Sequence, residues 1–369
     1  MRIALVSKAC LVGAYQRKLE ELAALPDVDL TAIVPPSWRD ERGEIRLERE
    51  HVNGYDLIVE PIAFNGSYHT YFFPNVARAL GALKPDLVQI DEEPYNYATY
   101  HLLRIAHRLK AKTVFFAWQN LNRRYPFPFN LIERAVLNRA DAGIAGNHDS
   151  AQVWRAKGFA GPIEVIPQFG IDPDIYAPGD GKREQAGFTI GYVGRLVEEK
   201  GVDVLLRAAA HLAGDWRIEI IGSGPKQHAL RRLSDRLGLS DRVAFRPWLA
   251  SKQLPAVYRG LDALVLPSRS KRSWKEQFGR TLVEAMACGV PVVGSTCGEI
   301  PHVVGDAGLV FPEGDAGALR AQLTRLMRNA DLRRDLIARG RERVLQRYTQ
   351  KQVAAATATV YRAVLAGPR

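Results

Sequence analysis

Leu261–Ser295 reads LDALVLPSRSKRSWKEQFGRTLVEAMACGVPVVGS, and these residues hold a complete strand, loop, helix and strand. ALVLP is a short, nearly unbroken apolar run ended by proline, as expected of a strand covered on both faces. Arg280 to Cys288 consists of good helix formers, with Gly289 and Pro291 as the stop. VPVVGS then returns as a second apolar strand. Strand, crossover helix and strand in this order make a parallel pair, so the chain is expected to be α/β.

The same cadence extends outward in both directions. Upstream lie FTIGYVG from Phe188, RIEIIG from Arg217 and RVAFR from Arg242, with helical stretches from Val202, Lys226 and near Leu254 between them. Further back come IALV from Ile3, a helical KLEELAAL from Lys18, LTAIV from Leu30, DLIV from Asp56, DLVQI from Asp86, TVFFAW from Thr113 and AGIAG from Ala142. Both periodicities break between Pro167 and Gly187, where PQFGIDPDIYAPGDGKREQAG is dense in Pro, Gly and Asp. A chain of 369 residues also exceeds what one core usually organises. The expectation is therefore two doubly wound Rossmann-like domains facing across a cleft, over residues 1–170 and 171–350. A final helix over 351–369, with an apolar stripe at Val353, Ala356, Val360 and Val364, packs back toward the first domain.

Composition narrows the function classes. Hydrophobic residues make up 47% and charged residues 25%, the balance of an ordinary globular chain. No apolar run approaches the ~18 residues needed to span a bilayer, and MRIALVSKACLVG lacks a small-residue cleavage site. A cytoplasmic location is expected. Cys10, Cys288 and Cys297 show neither disulfide nor zinc spacing and read as small buried apolar side chains. The net charge of +11 is uneven. Residues 1–180 carry 20 Lys and Arg against 22 Asp and Glu, and the remainder carries 31 against 18. A basic second half attracts anions, although RRDLIARGRERVLQR from Arg333 reads as an exposed helical arginine face.

Open parallel sheets bind ligands beyond the carboxyl ends of their strands, so the loops there hold the candidate chemistry. After FTIGYV, GRLVEEKGVD places Gly194, Arg195, Lys200 and Gly201 at a helix start, which suits a phosphate; the alternative is that both cations pair with Glu198 and Glu199. IIGSGPKQ places Gly222 and Gly224 at the next strand end, for ligand approach or only for a tight turn. Glu276 and Glu284 are separated by seven residues. With a helix beginning near Gly279, Glu276 lies at its mouth and Glu284 about one turn inside. Amides of Phe278, Gly279 and Arg280 could meet a phosphate there, and the carboxylates could accept sugar or ribose hydroxyls; the alternative is an N-terminal Glu that complements the helix dipole and a solvent-facing mid-helix Glu.

The order GRLVEEKG, IIGSGP, EQFGRTLVEAMACGVPVVGS and GEIPHVVGDAGLVFPEGD resembles the retaining nucleotide-sugar glycosyltransferases of family 4, with the GT-B architecture. The resemblance extends over essentially the whole chain. It implies that Arg195 and Lys200 neutralise the donor diphosphate, so that neither a metal nor a cofactor is required. Glu284 would bind ribose, Glu276 would face the transferred hexose, and Phe278 to Arg280 would meet phosphate or sugar. Where relatives often have glycine near the base, this chain has RPWL from Arg246, so Pro247 and Trp248 would shape that pocket.

On the acceptor side, relatives often carry a Gly-Gly pair after the first strand, whereas only Gly13 stands here; where many have a histidine after the TVFFAW strand, this chain has Trp118, Gln119 and Asn120. His69 and the carboxylates Asp91, Glu92 and Glu93 join Gln119 as acceptor-side candidates; the alternatives are a hydrogen-bonded structural histidine and a solvated acidic loop. The aromatics Tyr68, Tyr71, Tyr95, Tyr97 and Trp118 could stack sugar rings or serve the core. The implied reaction moves a hexose from a UDP- or GDP-sugar to a glycan, lipid-linked or small-molecule hydroxyl, with no nucleic-acid partner. NLNRRYPFPFNLIERAVL, mixing arginine with aromatics, suggests peripheral membrane contact. The rivals are a sugar-nucleotide sensor without turnover, a nucleotide-sugar epimerase and an NAD(P)-dependent oxidoreductase. The last would need G-x-G-x-x-G after its first strand, and KACLVGAY from Lys8 does not supply it.

Overall fold

The computed structural model describes residues 1–40, 43–179 and 187–367, which form two compact units. The first comprises Met1–Gly170 with Gln350–Arg369, and the second Ile171–Thr349. The chain thus passes between them twice, after Gly170 and after Thr349.

In the first unit the strands are β1 Arg2–Val6, β2 Asp29–Val34, β3 Ser37–Asp40, β4 Gly43–Arg46, β5 Asp56–Val59, β6 Leu87–Ile90, β7 Lys112–Ala117, β8 Ala142–Ala145 and β9 Ile163–Val165. Seven of them form a parallel sheet in the order β5-β2-β1-β6-β7-β8-β9. The antiparallel hairpin β3–β4 stands apart and has no counterpart in the sequence reading. Its strands are short and largely exposed, without the apolar run that marks the others. Helices α1 Gly13–Ala23, α2 Val76–Leu83, α3 Tyr97–Arg108, α4 Phe129–Leu137 and α5 His148–Ala156 connect the strands.

The second unit holds β10 Phe188–Val193, β11 Trp216–Ile221, β12 Val243–Arg246, β13 Ala263–Leu266, β14 Val292–Ser295 and β15 Leu309–Phe311. They form a parallel sheet in the order β12-β11-β10-β13-β14-β15. Its helices are α6 Val202–Ala209, α7 Gln227–Arg236, α8 Leu254–Arg259, α9 Arg280–Ala287, α10 Ile300–Val304, α11 Ala316–Arg328 and α12 Ala330–Arg347. Strands β10, β13 and β14 are almost wholly buried, and one continuous core packs both faces of the sheet. The last helix, α13 Gln350–Ala366, belongs to the first unit. It buries Val353, Val360 and Val364 in that core, and Tyr361 donates its hydroxyl to Gln89.

Strand order decides where ligands can bind. In each sheet the winding direction reverses at one place, between β1 and β6 in the first and between β10 and β13 in the second. Helices diverge to opposite faces there, which leaves a crevice beyond the carboxyl ends. The flanking loops are Ser7–Val12 and Asp91–Asn96 in the first unit, and Gly194–Gly201 and Pro267–Gly279 in the second.

The basic run on α12 departs from a plain solvated face. Arg341 donates to Ala287 O at 2.7 Å, and Arg343 donates to Val303 O at 2.9 Å and His302 O at 2.6 Å. These carbonyls close α9 and α10, so two of the arginines satisfy helix ends rather than attract a ligand. Cys10, Cys288 and Cys297 are free and buried, as the sequence suggested, and burial pushes the Cys10 and Cys288 thiols up to about 12. They are inert apolar filling.

Candidate functional site

The second unit's crevice is assembled by backbone packing between loops. Gly201 adopts φ 65°, and a Cβ there would lie 2.0 Å from Pro267 O, so the β10–α6 loop can press against the β13–α9 loop only with glycine. Glu276 is fixed from the other side. Its carbonyl accepts from Glu299 N at 3.1 Å, beside Gly298, whose Cβ would stand 2.2 Å from the same oxygen.

Within this frame Lys200 and Glu276 meet. Lys200 Nζ donates to Glu276 Oε2 at 2.6 Å, and Ser268 Oγ donates to the same oxygen at 2.8 Å. The Trp274 ring lies 5.1 Å from the ammonium. Glu276 is buried, so the ammonium and hydroxyl offset the loss of water around its carboxylate. Arg195 is exposed, and its side chain has no partner among the described residues. The alternative in which both cations pair with Glu198 and Glu199 is not what forms. Glu198 takes Lys271 at 2.9 Å and Lys226 at 3.7 Å.

The loop between Ser268 and Glu276 is anchored rather than slack. Arg269 grips Asp203 through both terminal nitrogens, at 3.3 and 3.1 Å. Lys271 and Trp274 exchange backbone hydrogen bonds of 2.8 and 3.2 Å, closing a tight turn that presents the indole to Lys200.

Helix α9 opens at Arg280 with Gly279 as N-cap at φ 81°, a conformation that suits glycine. Free N–H groups at such an end attract anions. Phe278 packs edge-on against Tyr348, 5.7 Å between ring centres. Glu284, one turn into α9, is buried rather than solvent-facing. Its Oε2 accepts from Tyr258 at 2.7 Å and its Oε1 from Arg280 at 2.8 Å. Burial and the Glu284 charge hold the Tyr258 phenol well above its usual pKa, so the hydroxyl keeps its proton and donates. Two donors thus orient the Glu284 carboxylate, which could accept a hydroxyl from a ligand.

Gly222 and Gly224 have a packing explanation. A Cβ on Gly222 would lie 1.9 Å from Gly194 O, and one on Gly224 would lie 2.5 Å from Leu196 O. Their smallness lets the β10 and β11 loops touch. Beyond β12, Pro247 is exposed and Trp248 is 54% exposed, leaving an indole face open at a strand end. The geometry thus brings Lys200 and Glu276 into direct contact, as it does Arg280 and Glu284. Ser268, Tyr258 and Trp274 went unremarked in the sequence, where nothing in their spacing distinguishes them from core or loop residues.

The first unit's crevice is a buried polar network. Lys8 pairs with Glu92, whose other oxygen accepts from Asn96 at 3.0 Å, and Asn96 Oδ1 lies 3.2 Å from His69 Nδ1. Glu93 Oε1 accepts from the amides of Trp118 and Gln119 at 2.7 and 3.1 Å. Glu93 Oε2 and Gln119 Oε1 are buried without a hydrogen-bond partner among the described residues. Burial, reinforced by the Glu92 charge and opposed by the two amides, pushes the Glu93 carboxyl up to about 8. Asp91 accepts from Ser7 Oγ at 2.5 Å and Gln168 Nε2 at 2.8 Å, and burial raises its carboxyl as well. The acidic run is therefore an internal network, not a solvated loop.

His69, Glu92, Glu93 and Gln119 come together around Asn96 and the end of β7, whereas Gly13 does not join them. Its amide donates to Glu48 Oε2 at 2.6 Å, and a Cβ there would strike the Glu50 side chain at 2.5 Å. Of the aromatics considered for sugar stacking, Tyr71 is fully buried and serves the core, while Tyr68 and Tyr97 remain exposed.

Comparison with known proteins follows the same division. Residues 19–175 match the family model described as Glycosyltransferase Family 4, and residues 180–343 match the model described as Glycosyl transferases group 1. The D-inositol 3-phosphate glycosyltransferase of Mycolicibacterium smegmatis is 38% identical over 189 residues, covering 47% of this chain and 42% of that protein. Its namesake from Mycobacteroides abscessus is 36% identical over 196 residues, covering 49% and 43%. The chain thus matches less than half the length of these curated relatives. Among solved structures, sucrose-phosphate synthase from Thermosynechococcus elongatus aligns over 99% of both chains, with a TM-score of 0.71 at 21% identity. Anabaena HepE in complex with UDP aligns over 98% of this chain and 99% of that one, with a TM-score of 0.74 at 18% identity. At such identities the likeness is one of fold.

Proposed function

We infer, from a chain that belongs to the family 4 glycosyltransferases and has their GT-B architecture, that it moves a hexose from a UDP- or GDP-sugar to an acceptor hydroxyl with retention at the anomeric carbon. The observation that carries this reading is the contact of Lys200 with Glu276 at the sheet's switch point, beside exposed Arg195 and the amide end of α9.

The chemistry asks for what these residues supply. As the anomeric C–O bond breaks, positive charge grows on the sugar ring and negative charge on the departing diphosphate. Arg195, Lys200 and the α9 amides stabilise the latter without having to reorganise. A divalent metal is then unnecessary on our reading. Glu276, held by Ser268 and Lys200, orients hexose hydroxyls, and Glu284 takes the ribose. Retention follows if the acceptor approaches from the leaving-group side and its proton passes to the diphosphate oxygen. Trp248 offers a stacking face for the base.

The acceptor, a glycan, lipid-linked or small-molecule hydroxyl, belongs to the His69, Glu92, Glu93 and Gln119 network on this reading, with the reaction taking place in the cytoplasm. The UDP complex of HepE makes UDP-sugars the first donors to try. A donor panel followed by thermal shift, then product analysis by anomeric proton coupling, tests the proposal. Stabilisation by a sugar nucleotide with no transfer to any acceptor would favour a sensor, and conversion of the donor sugar alone would favour an epimerase.

A further inference from the structure

A chain of side chains that begins at Lys8 fixes the proton of the His69 ring. The Lys8 ammonium lies 5.2, 5.5 and 5.1 Å from the centres of the Trp38, Tyr68 and Tyr71 rings, so three aromatic faces hold a charge already paired with Glu92. Paired with an ammonium, the Glu92 carboxylate can only accept hydrogen bonds. Asn96 therefore turns its amide nitrogen to Glu92 Oε2, at 3.0 Å, which leaves its carbonyl Oδ1 facing His69 Nδ1 at 3.2 Å. A carbonyl oxygen cannot donate, so the proton of the neutral imidazole sits on Nδ1. Nε2 is then a lone-pair acceptor. It has no partner among the described residues and is not sealed from water.

A second acceptor stands open in the same network. Gln119 spends its Nε2 on Leu121 O at 2.8 Å, and its Oε1 is buried with no partner among the described residues. The residue is only 7% exposed. Native structures seldom leave a buried carbonyl oxygen unpaired, so one that persists in a crevice points to a ligand that donates. Around His69 the rings of Phe129, Tyr95 and Tyr125 stand 5.2, 5.5 and 5.8 Å away, offering apolar surface to the C–H face of a saturated ring. Lys8 is committed to Glu92 and leaves no charge for a phosphate.

We propose that His69 Nε2 accepts a hydrogen bond from a hydroxyl of the glycosyl acceptor, that Gln119 Oε1 accepts a second, and that the acceptor meets them as an uncharged polyol, a sugar or cyclitol. This rests on the transferase reading and deepens it. His69 and Gln119 touch the substrate, whereas Asn96, Glu92 and Lys8 are positioning residues that set the tautomer. An imidazole with its proton on Nε2 would present a donor instead, so the relay decides which partner the ring selects.

Two measurements on the full chain test it. Nitrogen NMR of histidine-labelled protein at mildly alkaline pH reads the tautomer, with His69 identified among the eight histidines by its loss in His69→Phe. The expected result is Nδ1–H in wild type, giving way to Nε2–H in Asn96→Leu, with circular dichroism to show that the variants fold. Saturation-transfer NMR then reads binding without turnover, using methyl glucoside, methyl mannoside, methyl galactoside, myo-inositol and the phosphate esters of the same compounds. At least one uncharged probe should bind wild type, and bind about tenfold more weakly to His69→Phe and to Gln119→Leu, while UDP affinity stays unchanged. Nε2–H in wild type overturns the proposal at its first step. Binding of no probe by a chain that takes up UDP, binding equal in wild type and His69→Phe, or a preference for the phosphate esters overturns it too and leaves the transferase reading standing. Absence of UDP binding counts against that reading instead, because the tautomer and the probes are read without nucleotide.

Discussion

Lys200 Nζ sits 2.6 Å from Glu276 Oε2, joining a loop after β10 to a loop after β13 across the switch point of the second sheet. The ammonium that should bind the donor diphosphate is thus held in advance by the carboxylate that should orient the sugar. Replacing each partner separates the two roles. Lys200→Ala removes a charge-assisted contact and should weaken UDP binding about ten- to a hundredfold. Glu276→Gln frees the ammonium, so UDP should bind as well or better while turnover falls by orders of magnitude. Titration calorimetry with steady-state kinetics reads both; equal losses of affinity and rate in Glu276→Gln would show that the carboxylate has no separate role with the sugar.

Trp274 should act through Lys200. Its ring lies 5.1 Å from the ammonium in a loop pinned by Arg269 and Asp203. Trp274→Leu should cost about 1 kcal/mol of UDP affinity while Trp274→Phe costs less. If Leu and Phe behave alike, the ring is simply packing.

Tyr258 should act through Glu284. Tyr258→Phe removes the donor to a buried carboxylate oxygen, and the fold should lose about 1–3 kcal/mol in denaturant unfolding. Nucleotide affinity should fall with it because Glu284 is less firmly aimed. Unchanged stability would mean that another group satisfies the oxygen.

Glu93 makes stability depend on pH in a definite direction. Its carboxyl, raised from 4.5 to about 8, holds a proton in the folded chain that the unfolded chain has already released. Folded protein therefore binds more protons across that window, and stability falls as pH rises through it, the loss being complete above the folded value. Raised Asp91 contributes with the same sign. Glu93→Gln keeps an acceptor for the Trp118 and Gln119 amides but cannot ionise, so its melting temperature should decline less between pH 5 and pH 8.5. An equal decline would place the titration elsewhere.

Metal independence has a direct check. Activity should survive EDTA and be unaffected by restored magnesium or manganese, because fixed cations and amides supply the positive charge. Loss in chelator with recovery on adding a divalent ion would show that the reaction needs metal.

Much of the fold was legible because buried parallel strands are uniform apolar runs, as in ALVLP and VPVVGS, and the Pro- and Gly-rich stretch after Pro167 breaks both periodicities. The β3–β4 hairpin was not legible, since SWRD and GEIR carry no core-facing pattern. The crevice residues divide the same way. Lys200, Glu276 and Glu284 stand out through their placement at strand ends and helix starts. Ser268, Tyr258 and Lys8 become visible only when distant segments are brought together. The acidic run at Asp91 reads locally as solvated, yet its burial is decided by Lys8, Ser7, Asn96 and Gln168, which lie 4 to 84 residues away. Gly222 and Gly224 show the converse, a ligand-loop pattern whose glycines are explained by contact between neighbouring loops.

The claim beneath all of this is that Arg195 and Lys200 hold a diphosphate in the second unit. Calorimetric titration of UDP and UDP-glucose in EDTA into wild type, Arg195→Ala and Lys200→Ala measures it most directly. Saturable metal-free binding is expected, weakened at least tenfold in each variant with the fold intact. Failure of UDP, GDP and their sugars to bind the wild type, or equal affinities in all three proteins, would contradict it.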